Sequence, residues 1–394
     1  MLVFSYLVCG YYCFLAYFVL VRKTRQDCYK VEGFEGNKIH TFAVIIPAHN
    51  EELGISRTLN SCAVIDYPRE KFKIFVIADN CSDRTADIAR TFNATVLERE
   101  DKEKTGKGFA LEWAFRQEFW KEYDATILLD ADCIIDRIAL EVFDYHLTKG
   151  SKVLQANDVA SNPDISPISY LVAVGNFIEN ELFYTPKSDL GLSVFLRGTG
   201  VVISHDILIK YPWKANSLVE DLEYSLDLIR AGVRVQFVRE ASVRSQFPEM
   251  FSELNVQRTR WAKGSFSVGK AMGWKLIKEG FASKKLLVVD AGWTLFINSR
   301  PLVFLQLFLT LLAATVCQVV LKDAASFYIL LAALFVFTAQ VSYVLLGFLM
   351  MGLSQHRILL LLRTPLAMLD LTAISVRAWL QTGHAKWIRT PRRK

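Results

Sequence analysis

The sequence predicts an α/β domain with a mostly parallel central sheet, flanked by transmembrane α-helices. The chain is more apolar than an ordinary soluble domain, since 52% of its 394 residues are hydrophobic, 22% are charged and its mean hydropathy is +0.24. Between its apolar ends, strand-like apolar runs alternate with amphipathic helical ones, which is typical of parallel strands joined by helices. This composition excludes a disordered chain, a collagen and a disulfide-stapled mini-protein.

The apolar segment 1–21 predicts an N-terminal transmembrane helix, because it carries no charge and is long enough to cross a bilayer core of about 30 Å. A cleaved signal peptide is the alternative. It is disfavoured because the segment lacks a basic start, and Arg22, Lys23 and Arg25 follow where a cleavage site would lie. These bases place the domain predicted at 22–280 on the cytoplasmic side of the cell membrane.

The distal part of the chain predicts further membrane contact. An amphipathic interfacial segment is expected at 281–300, followed by a transmembrane hairpin at 301–353 whose only charges lie at its turn. The next apolar stretch, 358–380, holds ionisable residues that would each cost about 2.5–3.5 kcal/mol at mid-bilayer, namely Arg363, Asp370 and Arg377. We therefore expect 354–394 to form an interfacial or re-entrant helix and a basic tail.

A net charge of +6 indicates a membrane surface rather than nucleic acid as the anionic partner. Much of this charge lies in the C-terminal tail, as expected for contact with an anionic leaflet of membrane lipids, at Lys386, Arg389, Arg392, Arg393 and Lys394. A nucleic-acid-binding chain would instead need a basic stripe along a fold. The seven cysteines are scattered without a C-x-x-C pair, so neither a zinc site nor a disulfide framework is predicted.

Three buried strands are predicted at 41–47, 73–78 and 125–129, and polar residues follow each of them. In open parallel sheets, ligands bind outside the carboxyl ends of the strands, so these polar residues should converge on one crevice. The first two strands are followed by A-H-N-E-E and D-N-C-S-D, which deliver Glu51 and Asp79 to the same edge. Such carboxylates can hold the base or ribose of a nucleotide, although a turn and a helix N-cap explain N-C-S-D equally well.

The third strand ends in Asp130-Ala131-Asp132, the strongest local metal signal in the chain. Two carboxylates after a buried strand favour a hard cation such as Mg²⁺ or Mn²⁺ that also binds substrate phosphates. A solvated acidic loop is the alternative.

Upstream, Lys107 lies in T-G-K-G at the start of a predicted helix. Glycines and a positive point charge at such a position suit a phosphate group, although no Walker A loop is present.

Two later motifs add further candidates. In R-G-T-G, Gly198 and the adjoining Thr199 indicate either close backbone approach to a ligand or a bulge. In V-E-D-L-E, Asp221 begins a helix that runs to Arg230. Asp221 is either an acid favoured there by the helix dipole or a general base for a hydroxyl group.

The last motif, Q-R-T-R-W at 257–261, lies in an amphipathic stretch just before the membrane segments. Arg258 and Arg260 can pair with phosphate oxygens, and Trp261 can stack on the apolar face of a sugar. The alternative is contact of these basic and aromatic residues with lipid headgroups.

Taken in order, P-A-H-N-E-E, A-D-N-C-S-D, G-K-G, D-A-D, E-D and Q-R-T-R-W resemble the motifs of the membrane-bound inverting transferases of glycosyltransferase family 2. That family includes the cellulose, chitin, hyaluronan and poly-N-acetylglucosamine synthases and ceramide glucosyltransferase. The likeness runs from about Val44 to Trp261. It implies a GT-A-type nucleotide-sugar transferase domain.

The resemblance also implies roles on the donor side of the site. Glu51 and Asp79 would contact the uridine, and Lys107 would contact the diphosphate. Asp130 and Asp132 would bind the diphosphate-bound Mg²⁺ or Mn²⁺.

The remaining implied roles concern the reacting groups and the acceptor. Asp221 would be the catalytic base. Residues of the late motifs would steady the leaving diphosphate, namely Gln257, Arg258 and Arg260. Others would line the acceptor site, namely Gly198, Thr199 and Trp261.

The resemblance predicts a UDP-sugar-dependent enzyme that elongates a β-linked polysaccharide on the cytoplasmic face. The sequence departs from the family pattern at two positions, so the motifs do not assign a subfamily. Ala78 replaces the first acid of a common D-D pair, and Val219 precedes E-D where processive members usually have Thr or Ser. The low number of predicted helices fits the alternative of single-sugar transfer to a membrane lipid, or a homo-oligomer or partner that completes a translocation path. A non-catalytic scaffold is disfavoured because D-x-D, E-D and Q-x-x-R-W are intact.

Overall fold

The structure, a computed structural model, describes residues 1–23, 38–214, 217 and 219–381. Two groups of basic residues used in the topology prediction lie outside the described residues. These are Arg25, which follows the first helix in the sequence, and the C-terminal tail from Lys386 to Lys394.

One sheet lies at the centre of the described structure. Its strands are β1 Phe42–Ala48, β2 Phe72–Asp79, β3 Thr95–Arg99, β4 Ala125–Leu128, β5 Ile134–Ile135, β6 Val153–Ala160, β7 Val201–Ser204 and β8 Val235–Ser245. Their order across the sheet is β3-β2-β1-β4-β7-β6-β8-β5, and only β5 and β7 run against the other strands. The mostly parallel sheet is therefore confirmed, and the three predicted strands appear as β1, β2 and β4 with ends within one residue of expectation.

Helices surround this sheet and continue into the apolar ends of the chain. Those of the described residues are α1 Leu2–Lys23, α2 Ile55–Ala63, α3 Thr85–Thr91, α4 Lys107–Arg116, α5 Ala139–Thr148, α6 Pro167–Glu179, α7 Thr185–Asp189, α8 His205–Lys210, α9 Glu220–Arg230, α10 Phe251–Ala282, α11 Leu286–Ile297, α12 Arg300–Leu321, α13 Ala324–Met351, α14 Gln355–Leu362 and α15 Thr364–Leu380. A π-helical turn, Asn180–Tyr184, joins α6 to α7. The predicted helix starts beside Lys107 and Asp221 are confirmed as the starts of α4 and α9.

Both faces of the sheet are buried, which explains why its strands are apolar without alternation. Successive residues of β1 enter different hydrophobic clusters, since Ala43 and Ile45 pack on one face and Val44 and Ile46 on the other. The cluster on the face of Ala43 also contains buried residues of α1, α12 and α13. The sheet and the apolar helices therefore share one hydrophobic core.

Three helices of the described residues are long and apolar enough to cross a membrane, namely Leu2–Val21 within α1, α12 and α13. They correspond to the predicted N-terminal span and the predicted hairpin. The pair α14 and α15 is bent by 52° and qualifies either as one broken span or as a re-entrant loop. The interfacial or re-entrant placement of 358–380 stays a prediction.

Helix α11 connects the membrane helices to the α/β domain. It packs closely on α10, because a Cβ atom at Gly292 would lie 2.8 Å from the backbone oxygen of Gly273. Asp290 of α11 forms a buried ion pair in which its Oδ2 atom lies 2.8 Å from Lys187 Nζ of α7. The Tyr11 hydroxyl of α1 donates a hydrogen bond to Asp290 Oδ1 at 2.5 Å. Three parts of the chain thus meet at one carboxylate.

Candidate active site

The loops that follow β1 and β2 are joined by hydrogen bonds. Asn50 and Asn80 both adopt left-handed backbone conformations, with φ of 54° and 50°, which asparagine tolerates better than most residues. Asn50 Oδ1 accepts a hydrogen bond from Ser82 N at 2.8 Å, and Thr85 Oγ1 accepts one from Glu51 N at 2.8 Å. These contacts fix Glu51 at the edge of the sheet where the sequence predicts it.

Asp79, at the end of β2, forms a buried ion pair with Arg99, at the end of the neighbouring strand β3. The Arg99 Nη1 atom lies 2.5 Å from Asp79 Oδ1, and both side chains are nearly inaccessible to solvent. Burial raises the pKa of Asp79, and Arg99 opposes that rise. The sequence analysis missed Arg99, although the parallel register that pairs Asp79 with Arg99 could have identified it. The predicted contact of Asp79 with uridine stays a prediction.

The centre of the site is an ionic contact between Lys107 and Asp130. Lys107 Nζ donates to Asp130 Oδ1 and also to the backbone oxygen of Gly198, the latter at 2.7 Å. Gly198 has φ of +80°, and a Cβ atom there would lie 3.3 Å from Lys107 Nζ and 3.4 Å from Asp221 Oδ2. The structure therefore brings Lys107, Asp130, Gly198 and Asp221 together at the carboxyl ends of the strands.

The D-x-D loop offers a candidate metal site. One ligand atom from each of Asp130, Asp132 and Cys133 lies within 4.8 Å of the others. Carboxylate oxygens suit Mg²⁺ and Mn²⁺, whereas the Cys133 thiol is a soft ligand that these hard cations do not favour. Thr199 Oγ1 accepts a hydrogen bond from Asp130 N at 3.1 Å and donates one to Cys133 Sγ at 3.5 Å. Thr199 thus links both ends of the D-x-D loop through hydrogen bonds to Asp130 and Cys133.

Two acids at the start of α9, Glu220 and Asp221, have pKa values raised above their ordinary ones. Burial is the main cause that raises the pKa of Asp221, and Asp221 Oδ1 accepts a hydrogen bond from Leu222 N at 2.8 Å. Burial and the charge of Asp221 raise the pKa of Glu220 to about 7. Raised carboxyl pKa values in a cleft are typical of functional sites. Glu220 was not selected from the sequence as a site residue, although it adjoins Asp221.

The Q-R-T-R-W motif lies in α10, and its two arginines have different neighbours. Arg260 interacts electrostatically with Glu220 and Asp130, so it borders the centre of the site. Arg258 interacts instead with Glu179, and its guanidinium lies 5.5 Å from the centroid of the Trp261 ring. Burial lowers the pKa of both arginines.

The other two positions of that motif lie nearer the surface. Trp261 is 42% exposed, which leaves part of its ring open to a ligand. Gln257 is half-buried. Their roles at the acceptor and at the diphosphate stay predictions.

This combination of a mixed α/β sheet, a D-x-D loop, an E-D helix start and a Q-x-x-R-W helix is that of a glycosyltransferase. Residues 40–264 match the family described as glycosyltransferase like family 2. The chain belongs to that family, and the resemblance stated from its motifs is confirmed.

Curated relatives agree with this assignment. The chain is 28% identical over 240 residues to the probable glycosyltransferase YdaM of Bacillus subtilis (strain 168), covering 57% of this chain and 54% of that protein. It is 23% identical over 282 residues to the poly-beta-1,6-N-acetyl-D-glucosamine synthase of Staphylococcus aureus (strain COL), covering 68% of this chain and 63% of that protein. The chain thus spans less than two thirds of the length of these relatives.

A solved structure shares the fold. The mannosyltransferase PcManGT from Pyrobaculum calidifontis, in complex with GDP-Man and Mn²⁺, superposes with a TM-score of 0.51 and 14% identity. The match covers 96% of this chain and 98% of that chain. At this identity the match shows the fold alone, and it agrees with the predicted GT-A-type domain.

Gly264 allows α10 to pack against the residue before Glu220, so adding a methyl group there should disturb the site. A Cβ atom at Gly264 would lie 2.5 Å from Val219 Cγ1. We expect Gly264→Ala to lower kcat/KM about tenfold, because overpacking of this kind typically costs about 1–3 kcal/mol and shifts the neighbouring backbone. Steady-state transfer assays on the purified full chain would measure this.

The double variant Gly264→Ala/Val219→Ala provides the control for this prediction. It removes the methyl groups that the new Cβ atom would meet, so most of the activity should return. Alanine favours a helix interior over glycine by about 1 kcal/mol, so loss of activity without loss of thermal stability is the expected pattern. Full activity in the single variant would contradict this packing account.

Proposed function

We propose that this glycosyltransferase moves a sugar from a UDP-sugar to a glycan acceptor and forms a β-linked polysaccharide with inversion at the anomeric carbon. The observation that carries the proposal is the convergence of Lys107, Asp130, Gly198 and Asp221 at the carboxyl ends of the strands. This reaction needs a cation to bind phosphate, which Lys107 supplies, and a pair of acids to bind a metal, which Asp130 and Asp132 supply. It also needs a separate base, and Asp221 is an acid whose pKa is raised. The catalytic domain is proposed to face the cytoplasm.

The donor would bind across the loops after β1, β2 and β4. Glu51 and Asp79 would contact the uridine, and the Asp79–Arg99 pair would keep that loop in place. Lys107 would contact the diphosphate. The same group would be steadied from α10 by Gln257, Arg258 and Arg260, of which Arg260 has the electrostatic contacts that best fit this role.

Asp130 and Asp132 would hold Mg²⁺ or Mn²⁺, since their oxygens lie close enough to share one ion. A divalent cation bound there supplies positive charge for the diphosphate leaving group. The proton transfer is carried out by a residue of the chain. Asp221 takes the proton from the acceptor hydroxyl, whose oxygen attacks the anomeric carbon as the bond to UDP breaks on the opposite side. An α-linked donor then gives a β-linked product.

The acceptor would approach from the side of Gly198, Thr199 and Trp261. The backbone at Gly198 has no side chain that would separate the acceptor from Asp221. The exposed part of the Trp261 ring offers an apolar face on which a sugar ring can stack.

Chelation of divalent cations is expected to abolish transfer, and added Mn²⁺ or Mg²⁺ should restore it. The Asp132→Asn variant should need about tenfold more metal for half-maximal activity, because it removes one charge from the ligand set. Titrating activity against metal concentration after EDTA treatment measures this. Asp87→Asn, at an exposed acid paired with Arg90, is the matched control and should behave like the unmodified chain. Full activity in EDTA would rule out the metal assignment.

The proposal is tested with the full chain in nanodiscs, Mn²⁺ or Mg²⁺ and a panel of labelled UDP-sugars, with products separated by size. A ladder of products from one donor, absent in Asp221→Asn, supports polysaccharide synthesis. Absence of Asp221-dependent transfer with every UDP-sugar would overturn the proposal. Addition of one sugar to a co-purified lipid would instead support the second candidate, glycolipid synthesis. That candidate is favoured by a group of half-buried arginines beside the membrane helices, whose Nε atoms are buried and have no hydrogen-bond partner among the described residues.

A further inference from the structure

A second group of charges, carried by half-buried side chains, lies between the α/β domain and the membrane helices. It consists of Arg197, which precedes Gly198, Arg258 on α10 and Arg300 at the first residue of α12. We call these three residues the arginine cluster. The Nε atom of each is buried and has no hydrogen-bond partner among the described residues.

The end of α6 and the π-helical turn hold two of these guanidinium groups. Arg300 Nη1 donates a hydrogen bond to Gly175 O at 2.6 Å, and its Nη2 atom lies 3.4 Å from Glu179 Oε2. Arg197 Nη2 donates to Asn180 Oδ1 at 2.8 Å. π-Helical turns are rare and are frequent at functional sites, so this irregular segment is a further indication of a ligand site.

Two of the three arginines interact with the same acid. Glu179 is the carboxylate that interacts with both Arg258 and Arg300. Asp158 interacts with Arg197, and burial raises the pKa of Asp158. Arg197 and Arg300 lie close enough to Arg258 to repel it. Arg258 and Arg300 therefore share the single carboxylate of Glu179.

A buried charge without a full set of hydrogen bonds is unfavourable unless a partner compensates it. The partner that arginine accommodates best is a phosphate or carboxylate group, which accepts two hydrogen bonds from one guanidinium. The position of the arginine cluster indicates which kind of molecule carries this phosphate or carboxylate group. Arg300 begins a helix that is apolar enough to cross a membrane, and the buried Tyr343 hydroxyl of α13 also has no hydrogen-bond partner in the part of the chain that the structure describes. The arginine cluster therefore lies where the headgroup of a membrane lipid can reach it.

We propose that the arginine cluster binds the phosphate group of a membrane-embedded acceptor lipid. This inference rests on the second candidate function, sugar transfer to a membrane lipid, and names the chemical class of that lipid. Tyr184 connects the two sites, since the Arg197 guanidinium lies 5.2 Å from its ring centroid and Asp221 lies within electrostatic reach of it. Arg197 and Arg300 then act on the acceptor lipid, whereas Arg260 acts on the donor diphosphate.

Binding is tested without any donor, on the full chain in a neutral detergent, by native mass spectrometry. The probes are hexadecyl phosphate, hexadecanol and inorganic phosphate, which separate the contributions of the chain and of the phosphate. Hexadecyl phosphate should bind about tenfold or more tightly than either other probe. Arg258→Gln and Arg197→Gln should each weaken it about tenfold, whereas Arg258→Lys should weaken it less. Arg116→Gln, at an exposed arginine paired with Glu112, is the matched control and should leave binding unchanged.

Three outcomes would overturn the inference. Equal binding of hexadecanol would mean that only the apolar chain is recognised, and equal binding of inorganic phosphate would mean a soluble anion rather than a lipid. Loss of binding in Arg116→Gln to the same extent as in Arg258→Gln would remove the arginine cluster as its cause.

Donor kinetics separate this inference from the proposed function. Arg260→Gln should raise the KM for the UDP-sugar, and Arg197→Gln should leave that KM unchanged while it raises the KM for the acceptor. Selective phosphate-lipid binding without Asp221-dependent transfer would refute the proposed function alone. Asp221-dependent transfer without such binding would refute the inference alone.

Discussion

Replacing Asp221 by Asn is expected to lower kcat by about 10³-fold or more, because proton transfer by a positioned base contributes about 10²–10⁴-fold to such reactions. The amide keeps the shape of the side chain and can still accept the hydrogen bond from Leu222 N. Donor binding and thermal stability should therefore change little. Initial rates with a saturating donor, together with a UDP-binding measurement, would separate the chemical step from binding.

Glu223→Gln is the matched control for this variant. Glu223 lies in the same first turn of α9, so its substitution removes the same charge from the helix N-terminus and leaves the Asp221 carboxylate in place. If Asp221 served only to stabilise the helix, both variants would lose about 0.3–1 kcal/mol of stability and neither would lose much activity. Loss of activity in Glu220→Gln but not in Asp221→Asn would transfer the role of base to Glu220.

Replacing Lys187 by Met is expected to destabilise the chain by about 3–5 kcal/mol, the usual result of leaving one partner of a buried ion pair without its counter-charge. Lys187 and Asp290 have side chains only 1% and 5% exposed, and Lys187 Nζ also donates to Thr294 Oγ1 at 2.8 Å. Among the described residues, the hydrogen bond from Tyr11 would then be the remaining one to the Asp290 carboxylate. Thermal unfolding of the detergent-purified chain would show the loss as a lower Tm.

Two further variants test the physical account of this effect. The double variant Lys187→Met/Asp290→Leu removes both charges and should recover most of the lost stability. Arg230→Gln breaks a pair with Glu279 in which both side chains are about one third exposed, and it should cost no more than about 1 kcal/mol. A Tm for Lys187→Met equal to that of Arg230→Gln would show that the buried pair does not hold the helices in place.

The strands and the order of the motifs were predictable because they depend on local sequence. Residues 42–48 are apolar without interruption, and the polar residues that follow each strand are contiguous with it. The starts of α4 and α9 were also recognisable, since Lys107 follows a glycine and Glu220 and Asp221 place acids in a first helical turn. The uncharged segments at both ends predicted the three candidate spans for the same reason, since length and composition alone define them.

The partner of each charged side chain was decided by the tertiary structure. Asp79 meets Arg99 only because β2 and β3 pair in parallel with those residues opposite one another. Arg258 and Arg260 stand two residues apart on α10 and therefore point in different directions, one toward Glu179 and the other toward Glu220 and Asp130.

The sequence by itself determined the fold class, the candidate spans and the residue types of the site, because hydrophobic pattern and motif spacing are properties of neighbouring residues. The Lys187–Asp290 pair and the arginine cluster were decided by the tertiary structure alone. Each joins residues far apart in the chain, and the free energy of a charge depends on what surrounds it after folding.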